Sequence, residues 1–377
     1  LVVPLVFVSL VCGTSNLSDP SKLGRLGAKS VGLYVVTTAI AITLAMSMAL
    51  LVSPGEGLNL TTEANYAAKE APSLSQVIVN MFPSNPIDSM AKGNMLQIIV
   101  FAVLFGVAMA MTGDAGKRLS AIFEDINTVI MRLVTVIMNL APYGVFVLMA
   151  KLFATIGADT IFGLAKYFFL VLFVLILHAL GTYSLLLKLL TGLSPITLFK
   201  KMRDAALFAF STSSSSATLP VTMETARNKL GVGNSVSSFT LPLGATINMD
   251  GTAIMQGVAT VFIAQVYGVD LSFGDFMMVI LTATLASVGT AGVPGVGLIM
   301  LAMVLQQVNL PVEGIALIIG VDRLLDMTRT AVNITGDCMV SCAVAKGEGE
   351  LDVDVFNDPN AGEKEEEIDF KHFDKNV

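Results

Sequence analysis

Asp322, Asp326, Arg329, Asn333 and Asp337 follow one another at spacings of four, three, four and four in a stretch otherwise rich in Ile, Leu, Val and Ala. On an α-helix turning about 100° per residue, the five fall within about 80° of one another, in one wedge. Thr330 borders it. A charge at the centre of a bilayer costs roughly 2.5–3.5 kcal/mol on insertion scales, so Asp250, Asp322, Asp326, Asp337 and Arg329 together would cost on the order of 10 kcal/mol if unpaired. An ion pair of Arg329 with Asp326 or Asp322 is the bland reading, and it leaves three net carboxylates without partners. Bound hard cations would supply the missing charge. Their oxygen ligands would be Asp250, Asp337, the Asn248 and Asn333 amides, and backbone carbonyls freed where Gly-containing motifs break a helix. For an acidic amino acid, Arg329 can take the side-chain carboxylate bidentately and Asp326 the ammonium. Backbone N–H groups in the run Ser211 to Thr218 suit the α-carboxylate, if that run ends one half-helix and starts another.

The elements that must carry these residues belong to a membrane protein. Of 377 residues, 54% are hydrophobic and only 14% charged, with no Trp and a mean hydropathy of +0.77, whereas soluble domains carry about 25% charged residues. Runs such as 167–187 reach the ~20 residues of a spanning helix. Cys12, Cys338 and Cys342 read as small packing residues and His178 as a satisfied polar group between helices; two histidines, His178 and His372, do not make a metal centre. The net charge of −7 is concentrated at the end: the last thirty-one residues carry eleven acidic and three basic side chains, a net −8, leaving +1 for the rest. That tail, 347–377, reads as solvated and disordered. The chain begins at Leu1 within an apolar run, which reads as an N-terminal truncation; a signal peptide is the alternative, without its small-residue cleavage pattern.

Lys and Arg cluster at Lys22, Arg25 and Lys29, at Lys117 and Arg118, and at Lys188, Lys200, Lys201 and Arg203. The positive-inside rule makes these loops cytoplasmic and the acidic loop at about 53–94 external. Crossings are expected at about 31–52, 95–111, 119–148 and 164–187. The Ser-rich stretch at about 205–226 has basic residues on both flanks, so both its ends belong in the cytoplasm. It reads as a hairpin that enters and leaves by one face, its tip lining a cavity. A second, at about 276–308, has Ser287, Val288, Gly289, Thr290, Ala291, Gly292, Val293, Pro294 and Gly295 at its tip and only acidic flanks. Each hairpin precedes a helix with a polar motif, Asn248-Met249-Asp250-Gly251-Thr252 or Asn333-Ile334-Thr335-Gly336-Asp337. Two such units of opposite orientation form an inverted repeat, the layout that puts a transporter's site at the midplane.

These motifs, with the Ser-rich tip, Gly289 to Gly295 and Asp326-Met327-Thr328-Arg329-Thr330, resemble the dicarboxylate/amino acid:cation symporters, the glutamate transporter family, from Leu1 to about Gly347. The resemblance implies an all-α, elevator-type transporter and homotrimer with eight spanning helices, of which this copy lacks the first and part of the second. It divides the chain into 1–30, a partial second spanning helix and cytoplasmic loop of the scaffold; 31–52, the third spanning helix, in the transport domain; 53–155, scaffold and trimerisation helices; 156–346, the transport domain with both hairpins; and the tail, 347–377. It implies three sodium sites: Gly244, Asn248, Asn333 and Asp337; Thr246, Met249, Ser287, Val288 and Thr290; and Tyr34, Thr37, Thr38, Asn248 and Asp250. Implied substrate contacts are Ser214, Ser215, Thr252, Val293, Gly297, Asp326, Arg329, Thr330 and Asn333. The chain departs from archaeal members, which carry Arg where it has Ser213, and from animal members, which carry Arg where it has Met327 and Glu where it has Gln256; Arg323 lies nearby, about 100° off the wedge.

The expected function is therefore sodium-coupled import of aspartate or glutamate across the inner (plasma) membrane by a multi-pass protein, with no enzymatic activity and no nucleic-acid partner. The alternatives are a proton-coupled C4-dicarboxylate symporter, whose substrates have no ammonium for Asp326, a passive ion channel, and an intramembrane aspartyl protease. The protease would resemble a Tyr-Asp and Gly-x-Gly-Asp pair. The sequence has no Tyr-Asp, and Asp337 follows Ile334-Thr335-Gly336.

Overall fold

A computed structural model of the chain describes residues 2–15, 20–57, 79, 82–92, 95–138, 158–287 and 295–362, and among them every regular element is a helix. The first part comprises α1 (Val2–Ser15), α2 (Pro20–Val52), the short α3 (Pro86–Lys92), α4 (Met95–Met111) and α5 (Asp114–Met138). Then come α6 (Ala158–Leu177), a π-helical turn at His178–Tyr183 and α7 (Ser184–Thr191). Two stretches among the described residues, Gly24–Val52 and Leu164–Thr191, are long and apolar enough to cross a membrane. The expected crossing at 119–148 is helical as far as Met138, and the rest of it lies outside the described residues.

The first hairpin is longer than its apolar centre suggests. Its arms are α8 (Pro195–Thr212) and α9 (Ser215–Glu224), the second continued by a π turn at Thr225–Lys229. The start lies ten residues before the expected 205 because Ser194 caps the helix, accepting from the Thr197 N–H, and Pro195 fills the first turn, where its missing N–H costs nothing. Lys201 in the first arm meets the Lys229 carbonyl at the end of the second at 2.7 Å, so the chain doubles back. α10 (Asn234–Ile247) and α11 (Asp250–Val266) follow, separated by Asn248 and Met249 in non-helical backbone. The arms of the second hairpin are α12 (Phe273–Ser287) and α13 (Val296–Gln307); its tip, 288–294, lies outside the described residues. Last come α14 (Ile315–Glu348), closed by Gly349 in the left-handed region at φ 72°, and the short α15 (Val353–Asn357).

α11 is the centre of the molecule. Every residue from Asp250 to Ala264 is buried, because α2, α6, α12, α13 and α14 all pack on it. Such a helix has no polar outer face, so its apolar residues run all round.

Three expectations change. The basic cluster Lys22, Arg25 and Lys29, expected in the loop that closes 1–30, lies in the first turns of α2. They bring Arg25 and Lys29, four apart on one helix face, to Glu348 at the end of α14. The Gly-containing motifs do not both break their helices: the break occurs at Asn248, whereas α14 runs unbroken through Asn333, Gly336 and Asp337. Gly336 is instead a packing residue, since a Cβ there would lie 2.5 Å from the Tyr183 hydroxyl. The tail is also not solvated from 347 onward. Glu350 and Asp352 bond the backbone near Gly231, and Phe356 is fully buried. Residues 363–377 lie outside the described residues.

Candidate functional site

The wedge on α14 is buried and its members meet. Arg329, 0% exposed, places Nη1 2.8 Å from Asp322 Oδ1 and Nη2 2.9 Å from Asp326 Oδ1. Both contacts follow from helical spacing, seven residues being two turns and three residues less than one. The Arg329 Nε has no acceptor among the described residues. A buried guanidinium nitrogen left so is costly, and a group brought by a ligand would relieve it.

Asp326 is the most shared group. Its Oδ2 accepts the Gly295 N–H at 3.2 Å, from the beginning of the second arm of hairpin two, and lies 3.9 Å from Arg323 Nη1. Arg323 therefore reaches the site even though its backbone position is off the wedge. Thr330 donates to the Asp326 carbonyl at 2.8 Å, and Asn333 Oδ1 accepts the Gly251 N–H at 2.7 Å. That last bond holds the start of α11 against α14. A Cβ on Gly251 would lie 2.7 Å from the Arg329 carbonyl, so only glycine permits this crossing. At Gly297 a Cβ would lie 2.9 Å from the Thr252 methyl and 3.8 Å from Arg329 Nη1, which puts Thr252, Gly297 and Arg329 together. Val293 lies outside the described residues.

The serine tip is buried and packs its arms against α14. Ser213 ends the first arm in the left-handed region at φ 51°, and Ser214 caps the second arm by accepting from the Ala217 N–H. The turn thus points the start of α9 inward. Ser215 is its first residue. The Ser213 and Ser216 hydroxyls are buried without a hydrogen-bond partner among the described residues. Polar groups in that condition mark places where water or a ligand completes the structure.

A second cluster surrounds Asp250. Thr38 donates to Oδ1 at 2.6 Å, Tyr183 donates to Oδ2 at 2.8 Å, and His178 Nε2 is 3.3 Å from Oδ2. Thr37 donates to Asn248 Oδ1 at 3.3 Å, and the Tyr34 hydroxyl donates to the Thr240 carbonyl at 2.9 Å, beside Gly244. Asn248 Nδ2 in turn donates to Asp337 Oδ1 at 2.9 Å. Tyr34, Thr37, Thr38, Asn248 and Asp250 thus converge, as do Gly244, Asn248 and Asp337, whereas Asn333 turns toward Gly251. Oxygens of this kind suit a hard cation.

Of the remaining set, no hydrogen bond joins Thr246, Met249 and Ser287 among the described residues. Thr246 donates to the Leu243 carbonyl and Ser287 to the Thr284 carbonyl, each within its own helix. Met249, between α10 and α11, is buried, while Val288 and Thr290 lie outside the described residues.

Sequence reasoning missed Tyr183 and left His178 without a named partner. At 100° per residue, positions five apart sit about 140° apart on an α-helix, on different faces. The π turn at His178–Tyr183 brings both rings to Asp250, their centroids 4.7 Å apart. No spacing rule for α-helices would find them.

Residues 1–347 match the model of the sodium:dicarboxylate symporter family. The chain is 36% identical to the proton/glutamate-aspartate symporter of Escherichia coli, covering 93% of this chain and 83% of that protein. It is 34% identical to the proton/sodium-glutamate symport protein of Geobacillus stearothermophilus, over 93% and 85%. Identity to the C4-dicarboxylate transport protein of Rhodospirillum rubrum is 36%, over 94% and 81%. These relatives are membrane transport proteins and not enzymes. With a match that runs through both hairpins, the break at Asn248 and the wedge on α14, the chain belongs to the sodium:dicarboxylate symporter family.

Proposed function

We propose that the protein imports an acidic amino acid, aspartate or glutamate, together with sodium ions across the inner (plasma) membrane. The observation that carries this reading is the placement of Asp326 between Arg329 and the Gly295 N–H. A substrate ammonium would take Asp326, and its side-chain carboxylate would take the guanidinium nitrogens turned away from Asp322. Asp322 would stay as the resident counter-ion, keeping Arg329 in place. The Ser213 and Ser216 hydroxyls, without a partner among the described residues, and the start of α9 suit the α-carboxylate. Ser214, Ser215, Thr252, Val293, Gly297, Thr330 and Asn333 would complete the pocket.

Sodium is favoured by charge. Asp250 and Asp337 are buried, and their hydrogen-bond partners are hydroxyls, an amide and an imidazole, so a cation would supply the missing charge. The ligands would be the three sets named above, of which the one around Thr37, Thr38 and Asp250 is the best gathered. Each co-transported charge moving through 100 mV contributes about 2.3 kcal/mol, so several sodium ions could concentrate an anion strongly.

The remaining parts of the reading rest on the family. The two hairpins would be re-entrant, from opposite faces, and would move with their adjoining helices as an elevator against a trimeric scaffold. The exposed apolar seam on α5, Leu119, Ile122, Ile126, Val129 and Leu133, suits lipid or a second copy.

Proton-coupled C4-dicarboxylate transport is the second reading, favoured by the similar identity to relatives named for that activity and for protons. Uptake of radiolabelled aspartate into proteoliposomes separates the two. An inward sodium gradient should drive accumulation, and excess succinate should compete poorly. Accumulation driven by a proton gradient alone, with succinate preferred, would favour the second reading.

A further inference from the structure

The start of the tail is strapped across the base of the first hairpin. Glu350 accepts the Gly233 N–H at 2.8 Å, Asp352 donates its N–H to the Gly231 carbonyl at 2.8 Å, and Val232 and Leu351 pair as an antiparallel bridge between them. The Ser235 hydroxyl donates to the Glu350 carboxylate. Gly231 has φ +70°, and a Cβ there would meet the Asp352 carbonyl at 2.2 Å, so the backbones approach to a distance only glycine permits. Asp352 then caps α15, accepting from the Asp354 and Val355 N–H groups.

Lys201 locks this strap in place. Its ammonium donates to the Lys229 carbonyl at the end of the second arm and to the Val355 carbonyl in the strap, both at 2.7 Å, and sits 5.8 Å from the Phe356 ring centroid. One cation thus joins the first arm, the second arm and the tail. Lys201 is 8% exposed and Phe356 is fully buried, so these charge-assisted and cation–π contacts are largely shielded from water. At the other end, α14 carries the strap directly from Asp326 and Arg329, and Glu348 pairs with Lys29 and Arg25 of α2.

We propose that residues 350–358 are a positioning strap: through Lys201 and Phe356 they fix the base of the first hairpin to the end of α14, and so set the depth of the serine tip relative to Asp326 and Arg329. The tip lies twelve residues along α8 from Lys201, about 18 Å of stiff helix. A base free to slide would carry Ser213 to Ser216 with it. Lys201 and Phe356 are then positioning residues for the pocket, although neither touches substrate. The consequence for affinity rests on the proposed function; the mechanical coupling does not.

Hydrogen exchange and aspartate binding, measured on the purified chain and on Phe356→Ala and Lys201→Met, test it. Exchange at residues 209–218 should quicken about tenfold or more in both variants, while residues 330–345 of α14 stay protected, which also shows that the variants fold. The aspartate Kd should rise about fivefold or more, without loss of binding. Quickening confined to the base, at 195–204 and 225–233, with the tip and Kd unchanged, would reduce the strap to a local staple and overturn the proposal. A uniform rise across α14 as well would also overturn it. Absence of aspartate binding in the unaltered chain would sink the substrate reading, yet the exchange comparison would still decide the coupling.

Discussion

The two hairpin-and-helix units use similar polar motifs and fold them differently. After the first hairpin the chain breaks at Asn248 and Met249, so that α10 and α11 present side chains and free backbone together. After the second, α14 stays helical for 34 residues and presents side chains alone, stacked on one face. The difference follows from what each Gly does. Gly251 stands just past a break and lets α11 press on the Arg329 backbone, whereas Gly336 lies inside an intact helix and makes room for Tyr183. A motif of Asn, Gly and Asp in an apolar stretch therefore signals a buried polar site, and does not say whether the backbone opens there. A cation-type cluster centres on Asp250 of the first unit and draws in Asp337 of the second through Asn248, while the second also carries the charges suited to an amino acid.

If that division holds, charge removal in the two units should have different consequences. The largest effect is expected for Asp326→Ala, which removes the ammonium partner and leaves Arg329 with Asp322 alone. Aspartate affinity should fall by about 2–5 kcal/mol, about 30-fold or more, as for a truncated buried charge pair. Calorimetric titration in saturating sodium would check this, and unchanged affinity would support the dicarboxylate reading. Asp250→Asn should instead raise the sodium concentration for half-maximal aspartate binding about tenfold or more, equivalent to about 1.4 kcal/mol. Aspartate affinity at saturating sodium should be nearly retained. A loss of affinity that sodium cannot restore would merge the two units into one.

Smaller effects should sharpen the contrast of backbones. Gly336→Ala forces a methyl against Tyr183 and should cost about 1–3 kcal/mol of stability, as overpacking does. Tyr183→Phe removes the clashing hydroxyl and should recover part of that, with a coupling of about 0.5–3 kcal/mol in a double-mutant cycle of thermal unfolding. Additive penalties would mean that a methyl at Gly336 does not meet the Tyr183 hydroxyl. The smallest effect is expected at the C-terminal end of α14. The Lys29 hydrogen bond foremost, and Arg25 beside it, hold the Glu348 carboxyl below its usual range. A depressed carboxylate pKa stabilises the fold above the unfolded value and loses that contribution as pH falls through the folded one. With the Lys29 and Arg25 side chains about half exposed, the contribution is about 0.2–1 kcal/mol. Lys29→Met should accordingly lower the melting temperature slightly near pH 7 and leave it unchanged at acid pH.

Much of the site was legible because α14 is a regular helix, on which Asp322, Asp326, Arg329, Asn333 and Asp337 must share a face. The turn at the serine tip was legible because basic residues flank the polar run at both ends, a pattern that calls for a chain doubling back on itself. What was not legible depends on departures from the α-helix or on contacts far along the chain. His178 and Tyr183 meet Asp250 only through a π turn. Arg323 reaches Asp326 by the length of its side chain. The strap reads as a solvated acidic tail because its anchors, Gly231 and Lys201, stand more than a hundred residues earlier, where no local pattern connects them to Phe356.

The most direct test of the account is the affinity of the purified protein for aspartate as sodium is replaced by choline at constant ionic strength. If a cation neutralises the buried acids around Asp250 and Asp337, the aspartate Kd should rise at least tenfold for each tenfold fall in sodium, the slope of one coupled ion or more. Equal aspartate affinity in sodium and in choline would contradict the account.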